Sequence, residues 1–250
     1  MGGGGGEDMK RITPWVLWGG LCLSILLNVV LYQAARTFYN RESKFRLHPT
    51  GTPSFMETGP ESSVRVMLLG DSRCAQWSGF APHKYRVINA GVGNETTAQI
   101  RLRAVEAISK VRPSVVVLEA GINDLKTIPL IPDKEKEIIE NCVANLMEMA
   151  RESRERGASV IVLSVLPVGR VELGRRLVWS DAVARSVDEV NKRLVEKCSF
   201  TPGVSYFDVS SHVLVDRDYK DSLHFTPGFY ARISPLVERA IDDMLNPAPL

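Results

Sequence analysis

Histidine and cysteine are scarce in this chain, with four of each in 250 residues. Cys22, Cys74, Cys142 and Cys198 form no CxxC pair and no Cys/His cluster, which argues against a structural zinc site. Cys22 falls inside an apolar run, leaving three cysteines elsewhere. An odd number argues against a disulfide framework; it allows one bridge, and otherwise suits buried thiols that pack as small hydrophobes. A charge excess is lacking too: 31 Lys and Arg stand against 29 Asp and Glu, a net charge of +2. A nucleic-acid partner would need basic residues massed on one face, so none is expected. There is no internal repeat.

What the chain does have is one long uncharged stretch, residues 15–35, WVLWGGLCLSILLNVVLYQAA. As a helix it spans about 30 Å, the thickness of a bilayer's hydrocarbon core. Trp15, Trp18 and Tyr32 sit towards its ends, where amphipathic rings favour the interface. A cleaved signal peptide would have a shorter apolar region and an Ala-x-Ala-like end, whereas this run closes on Tyr32-Gln33-Ala34-Ala35-Arg36. An uncleaved anchor after a tail of residues 1–14 is the expectation. Lys10 and Arg11 precede the run, while Arg36, Arg41, Lys44 and Arg46 follow it. By charge alone, the C-terminal part stays in the cytoplasm. Residues 36–63 are polar and carry Pro49, Gly51, Pro53, Gly59 and Pro60, which reads as an extended linker with ordered folding from Val64.

Beyond Val64, apolar β-branched runs alternate with helix-like stretches. The strands are expected at 64–69, 86–90, 115–120, 160–165 and 205–209, and the helices at 97–110, 134–156, 181–197 and 227–245. Strands apolar on both faces, separated by helices, predict a parallel sheet covered on each side, an α/β sandwich spanning residues 64–245. In such a sheet the chemistry belongs in loops at the carboxyl ends of the strands.

Four of those loops carry suitable groups. The first strand ends in Gly70-Asp71-Ser72-Arg73, which puts a serine hydroxyl and its amide at a helix start. Acyl transfer needs both a reachable nucleophile and a donor for the developing oxyanion. The second ends in Asn89-Ala90-Gly91-Val92-Gly93-Asn94-Glu95-Thr96-Thr97, where amides can converge as a nest. Gly121-Ile122-Asn123-Asp124 follows the third and offers a side-chain amide. Last comes Asp221-Ser222-Leu223-His224, just ahead of a helix capped by Thr226 and opened by Pro227. Asp221 can accept from Nδ1 of His224, leaving Nε2 free to take a serine proton. Taken singly, each of these is an ordinary turn or cap. Their occurrence together, in this order, is the signal.

On these motifs the stretch from Val64 to Leu245 resembles the SGNH hydrolases, the GDSL-like lipases and esterases. The resemblance implies a flavodoxin-like three-layer α/β/α fold and hydrolysis of small esters without metal or organic cofactor. It implies Ser72 as nucleophile and Asp221 and His224 as the rest of a triad. The oxyanion hole would be formed by the amide of Ser72, an amide of Gly93 or Asn94, and the Asn123 side chain. The choice between Gly93 and Asn94 stays open because Asn94 stands directly before Glu95-Thr96, where the family pattern has glycine. Arg73 departs from the pattern as well, standing where an apolar residue is usual; it reads as pointing to solvent, or else as attracting an anionic substrate. Arg170, Arg175 and Arg176 form a basic loop after the fourth strand, either solvated or facing an acidic substrate.

The expected activity is a serine esterase acting on acyl esters, with O-acetylated glycans and lysophospholipid-like chains both open as substrates. The alternatives are an O-acetyltransferase using the same triad on a glycan, and a catalytically silent, membrane-tethered binding module. The resemblance also favours a domain outside the cytoplasm, against the charge bias around the apolar run.

Overall fold

The computed structural model describes residues 14–62, 64–77, 80, 83–171 and 181–246. It divides into two units at residues 49 and 50. The N-terminal unit is one helix, α1 (Pro14–Leu47), with none of its residues buried. It is the one helix among the described residues long and apolar enough to cross a membrane.

This helix runs further than the apolar stretch. Residues 36–47 contain neither glycine nor proline, and Arg46 bonds back to Glu42 one turn earlier at 3.0 Å, so nothing ends the helix before Pro49. The expected linker over 36–63 is corrected at its other end as well. Met56–Thr58 forms strand β1, antiparallel to β3 (Arg86–Asn89), with Glu57 paired to Arg86. Gly51 donates its amide to Glu95 Oε1 at 2.7 Å. The second unit therefore begins at Thr50, not Val64.

That unit is built on a six-stranded sheet in the order β1-β3-β2-β4-β5-β6, with β2 (Arg65–Gly70), β4 (Val115–Glu119), β5 (Ser159–Leu163) and β6 (Val204–Phe207). All neighbours are parallel except the added edge strand β1. Alternation along the strands splits the core into two layers. Met67, Leu69, Val116, Leu118, Val160 and Val162 pack with Ile100, Leu146, Met149 and Leu194. Those last four lie on α3 (Thr97–Val111), α5 (Glu135–Glu155) and α6 (Ala182–Ser199). On the other face Val66, Leu68, Val115, Val117 and Ile161 meet Phe229, Ile233, Val237 and Ile241 of α7 (Pro227–Leu245). The result is the three-layer α/β/α sandwich that the strand pattern implies. Cys74, Cys142 and Cys198 are buried free thiols, and no bridge forms.

Candidate active site

The carboxyl end of β2 is unusually tight. A methyl group on Gly70 would stand 1.9 Å from the Glu119 carbonyl and 2.7 Å from the Cys74 sulfur, so only glycine fits beside β4. The chain then turns into α2 (Ser72–Ala75), one helical turn capped by Asp71, whose side chain accepts from the Arg73 amide at 2.9 Å. Ser72 is its first residue, and a first-turn amide has no intrahelical acceptor.

The Ser72 hydroxyl points at the loop before α7. Its Oγ lies 3.2 Å from His224 Nε2, and His224 Nδ1 lies 2.8 Å from Asp221 Oδ2. The other carboxylate oxygen of Asp221 accepts the amides of Leu223 and His224 at 2.7 and 2.8 Å. Burial pushes this carboxyl up, but the hydrogen bonds from the His224 ring and those two amides outweigh it and hold Asp221 at about 2. It is therefore a carboxylate, and its bond fixes Nδ1 as the donor, leaving Nε2 to face the serine. The loop is braced by Lys220 N donating to His224 O at 2.8 Å and Thr226 N to Asp218 O at 2.7 Å. Thr226 is the N-cap of α7 with Pro227 in its first turn, although its side chain makes no capping bond.

The loops after β3 and β4 complete the rim. Gly91 packs on the backbone of α2, where a methyl group would fall 2.3 Å from the Ala75 nitrogen. Asn89 fixes this contact by donating from Nδ2 to Cys74 O at 2.7 Å. A methyl on Gly93 would be 3.9 Å from Ser72 Cβ, which places the Gly93-Asn94 turn beside the serine. Asn94 adopts a left-handed conformation, φ 66°, that asparagine tolerates. Asn123, on α4 (Ile122–Leu125), is buried and donates from Nδ2 to Glu95 O at 2.9 Å, with a weaker contact of 3.4 Å to Asp71 Oδ2. Its Oδ1 accepts from Lys126, so both ends of the amide are oriented. Asp124 ties this loop to α3 by accepting from the Thr97 amide and hydroxyl at 2.9 and 2.7 Å. Ser72, Gly93, Asn94, Asn123, Asp221 and His224 thus gather at one end of the sheet.

Two buried arginines went unforeseen. Arg103 donates to Glu95, to Ala90 O and to Gly70 O, holding the ends of β2 and β3 together. Its signal was a charge among Ile100, Ala104 and Ala107 on the core face of α3. The expectation that Arg73 points to solvent, or meets an anionic substrate there, is wrong: the side chain is 1% exposed. Backbone carbonyls converge beneath the site, and a guanidinium fork is the group that satisfies several at once. Its neighbour Glu119 is an acid inside an otherwise apolar strand. Burial raises this carboxyl well above the usual carboxylate range; the charge on Asp71 adds to the rise and Arg73 opposes it. Arg170 is exposed and paired with Asp216 at 2.6 Å, whereas Arg175 and Arg176 lie outside the described residues. Among the described residues no cluster of three His, Cys, Asp or Glu side chains could hold a metal.

Residues 62–232 match the family model of the GDSL-like lipase/acylhydrolases. The chain belongs to that family. Solved structures agree on the fold. A GDSL-like lipase from Bacteroides thetaiotaomicron is 21% identical, with 72% of this chain and 88% of that one covered and a TM-score of 0.56. The aryl esterase of M. smegmatis is 15% identical over 73% of this chain and all of its own, with a TM-score of 0.56. A carbohydrate acetylesterase from Sinorhizobium meliloti is also 15% identical, over 73% of this chain and 100% of that one, with a TM-score of 0.57. No curated protein sequence matches this GDSL-like chain significantly.

Proposed function

We propose that this acylhydrolase cleaves small acyl esters, acetyl esters of carbohydrates among them, through a Ser72–His224–Asp221 triad. The observation that carries the reading is the unbroken contact from Ser72 Oγ to His224 Nε2 at 3.2 Å and from His224 Nδ1 to Asp221 at 2.8 Å. His224 takes the serine proton as the hydroxyl attacks the ester carbonyl, and Asp221 steadies the imidazolium that forms. His224 returns the proton to the leaving alcohol, and water, activated the same way, frees the acid and restores Ser72. The tetrahedral oxyanion is met by the Ser72 amide, an amide of the Gly93-Asn94 turn and Asn123 Nδ2. The 3.4 Å contact of Asn123 to Asp71 is too long to be a strong bond, so that proton is available to the oxyanion.

The polar surface next to Asp221 suits a hydroxylated substrate. A cleft of about 340 Å³ beside Asp221 is lined by Arg170, Asp216, Tyr219 and Lys220, with Val215 as its apolar member. The acetylesterase likeness points the same way. Asn123→Ala should lower kcat on 4-nitrophenyl acetate about 100- to 1000-fold with KM within a few-fold, as loss of one oxyanion donor does. An unchanged kcat removes Asn123 from the mechanism.

The helix α1 acts in this reading as an uncleaved membrane anchor, with the catalytic unit outside the cytoplasm. Fractionation should find the intact chain in membranes, and added protease should digest the catalytic unit in right-side-out vesicles. Intact chain in the soluble fraction contradicts the anchor; full protection contradicts the orientation.

A further inference from the structure

Among the described residues Arg73 heads the fully buried side chains in size, and it stands next to Ser72. Its guanidinium donates to three backbone carbonyls: Nε to Leu223 at 3.0 Å, Nη1 to Leu166 at 2.5 Å and Nη2 to Pro167 at 2.9 Å. Leu223 immediately precedes His224. Phe225 immediately follows it, and the guanidinium carbon lies 5.2 Å from the centre of that ring. The nucleophile's neighbour therefore holds the chain on both sides of the histidine. At its own backbone, the Arg73 carbonyl accepts from the Tyr230 hydroxyl of α7 at 2.9 Å, so the grip runs in both directions.

Glu119 Oε1 lies 4.0 Å from Nη1, and neither Glu119 carboxyl oxygen has a hydrogen-bond partner among the described residues. A buried charged group is a poor device for stability alone, since apolar residues of similar volume usually do as well or better. It earns its place here through direction, because three donors in one plane fix three carbonyls at once. Lysine, a single ammonium on a flexible stem, cannot reproduce that fork.

We infer that Arg73 is a positioning residue that sets the separation of Ser72 and His224, acting through Leu223 and Phe225. This rests on the triad reading above. The test uses the full-length chain in detergent, with 4-nitrophenyl acetate as substrate. Two variants are compared: Arg73→Lys, and the double variant Arg73→Gln with Glu119→Gln, which removes both members of the buried contact together.

Misplacing reacting groups by about 1 Å costs on the order of 100-fold. Each variant should therefore lose about 10- to 100-fold in kcat, with KM within about threefold and melting still above the assay temperature. Labelling of Ser72 by a fluorophosphonate should slow in proportion. A role confined to stability would instead leave kcat per folded molecule unchanged. A folded variant with kcat within about twofold of wild type overturns the assignment, and so does failure of both variants to fold, which would make Arg73 a scaffold residue. Full turnover by Ser72→Ala would mean that the triad reading itself had failed. Inactive Ser72→Ala beside unimpaired Arg73→Lys would sink the positioning role alone.

Discussion

Ser72→Ala lowers kcat/KM on 4-nitrophenyl acetate by about 10⁴- to 10⁶-fold, and the melting temperature stays within a few degrees of wild type. The size follows from how a nucleophile and its base act as one unit: removing either member costs about as much as removing both. His224→Ala is therefore expected to lose a similar factor, and the double variant little more. Stability is spared because Ser72 is only half-buried and its hydroxyl contacts the partly exposed His224 ring. Turnover by purified variants, read beside thermal melting, checks both statements. A loss of less than about tenfold would assign the chemistry to another group.

Asp221→Asn is the second large effect, about 10⁴-fold in kcat, and its cause is the tautomer of His224. Asp221 Oδ1 is held by two amides, at 2.7 and 2.8 Å. An asparagine keeps its carbonyl oxygen on those amides and turns its NH₂ towards His224 Nδ1. Nδ1 must then accept, the ring proton moves to Nε2, and the serine faces a donor where it needs a base. Geometry survives while the chemistry stops. Nitrogen chemical shifts of the His224 ring should report the switch in tautomer. An Asp221→Asn enzyme that keeps more than a tenth of wild-type kcat would limit Asp221 to bracing the loop.

The parts legible in the sequence are those with local causes. The apolar runs of β2, β4 and β5 and the amphipathic faces of α3, α5 and α7 come from periodicity. Ser72, Asn123, Asp221 and His224 were found because an α/β sheet restricts chemistry to the loops at one end. What stayed hidden depends on partners distant in the chain. Strand β1 has three residues and exists because β3 offers an open edge and Arg86 pairs with Glu57. Residues 36–47 are polar enough to resemble a linker, yet nothing in them breaks a helix. Burial of Arg73 depends on carbonyls 93 and 150 residues away, which no window of sequence contains. Glu119 gave a readable hint as a lone acid in VVVLE, but its partner could be named only from the fold.

The account stands on Ser72 being the residue that is acylated. The most direct measurement treats full-length protein with a fluorophosphonate ester and locates the adduct by peptide mass spectrometry. One adduct on Ser72, forming as activity disappears and far more slowly in His224→Ala, is the expected result. An active enzyme that loses turnover while the adduct sits on a different serine, or that is never labelled at all, would contradict it.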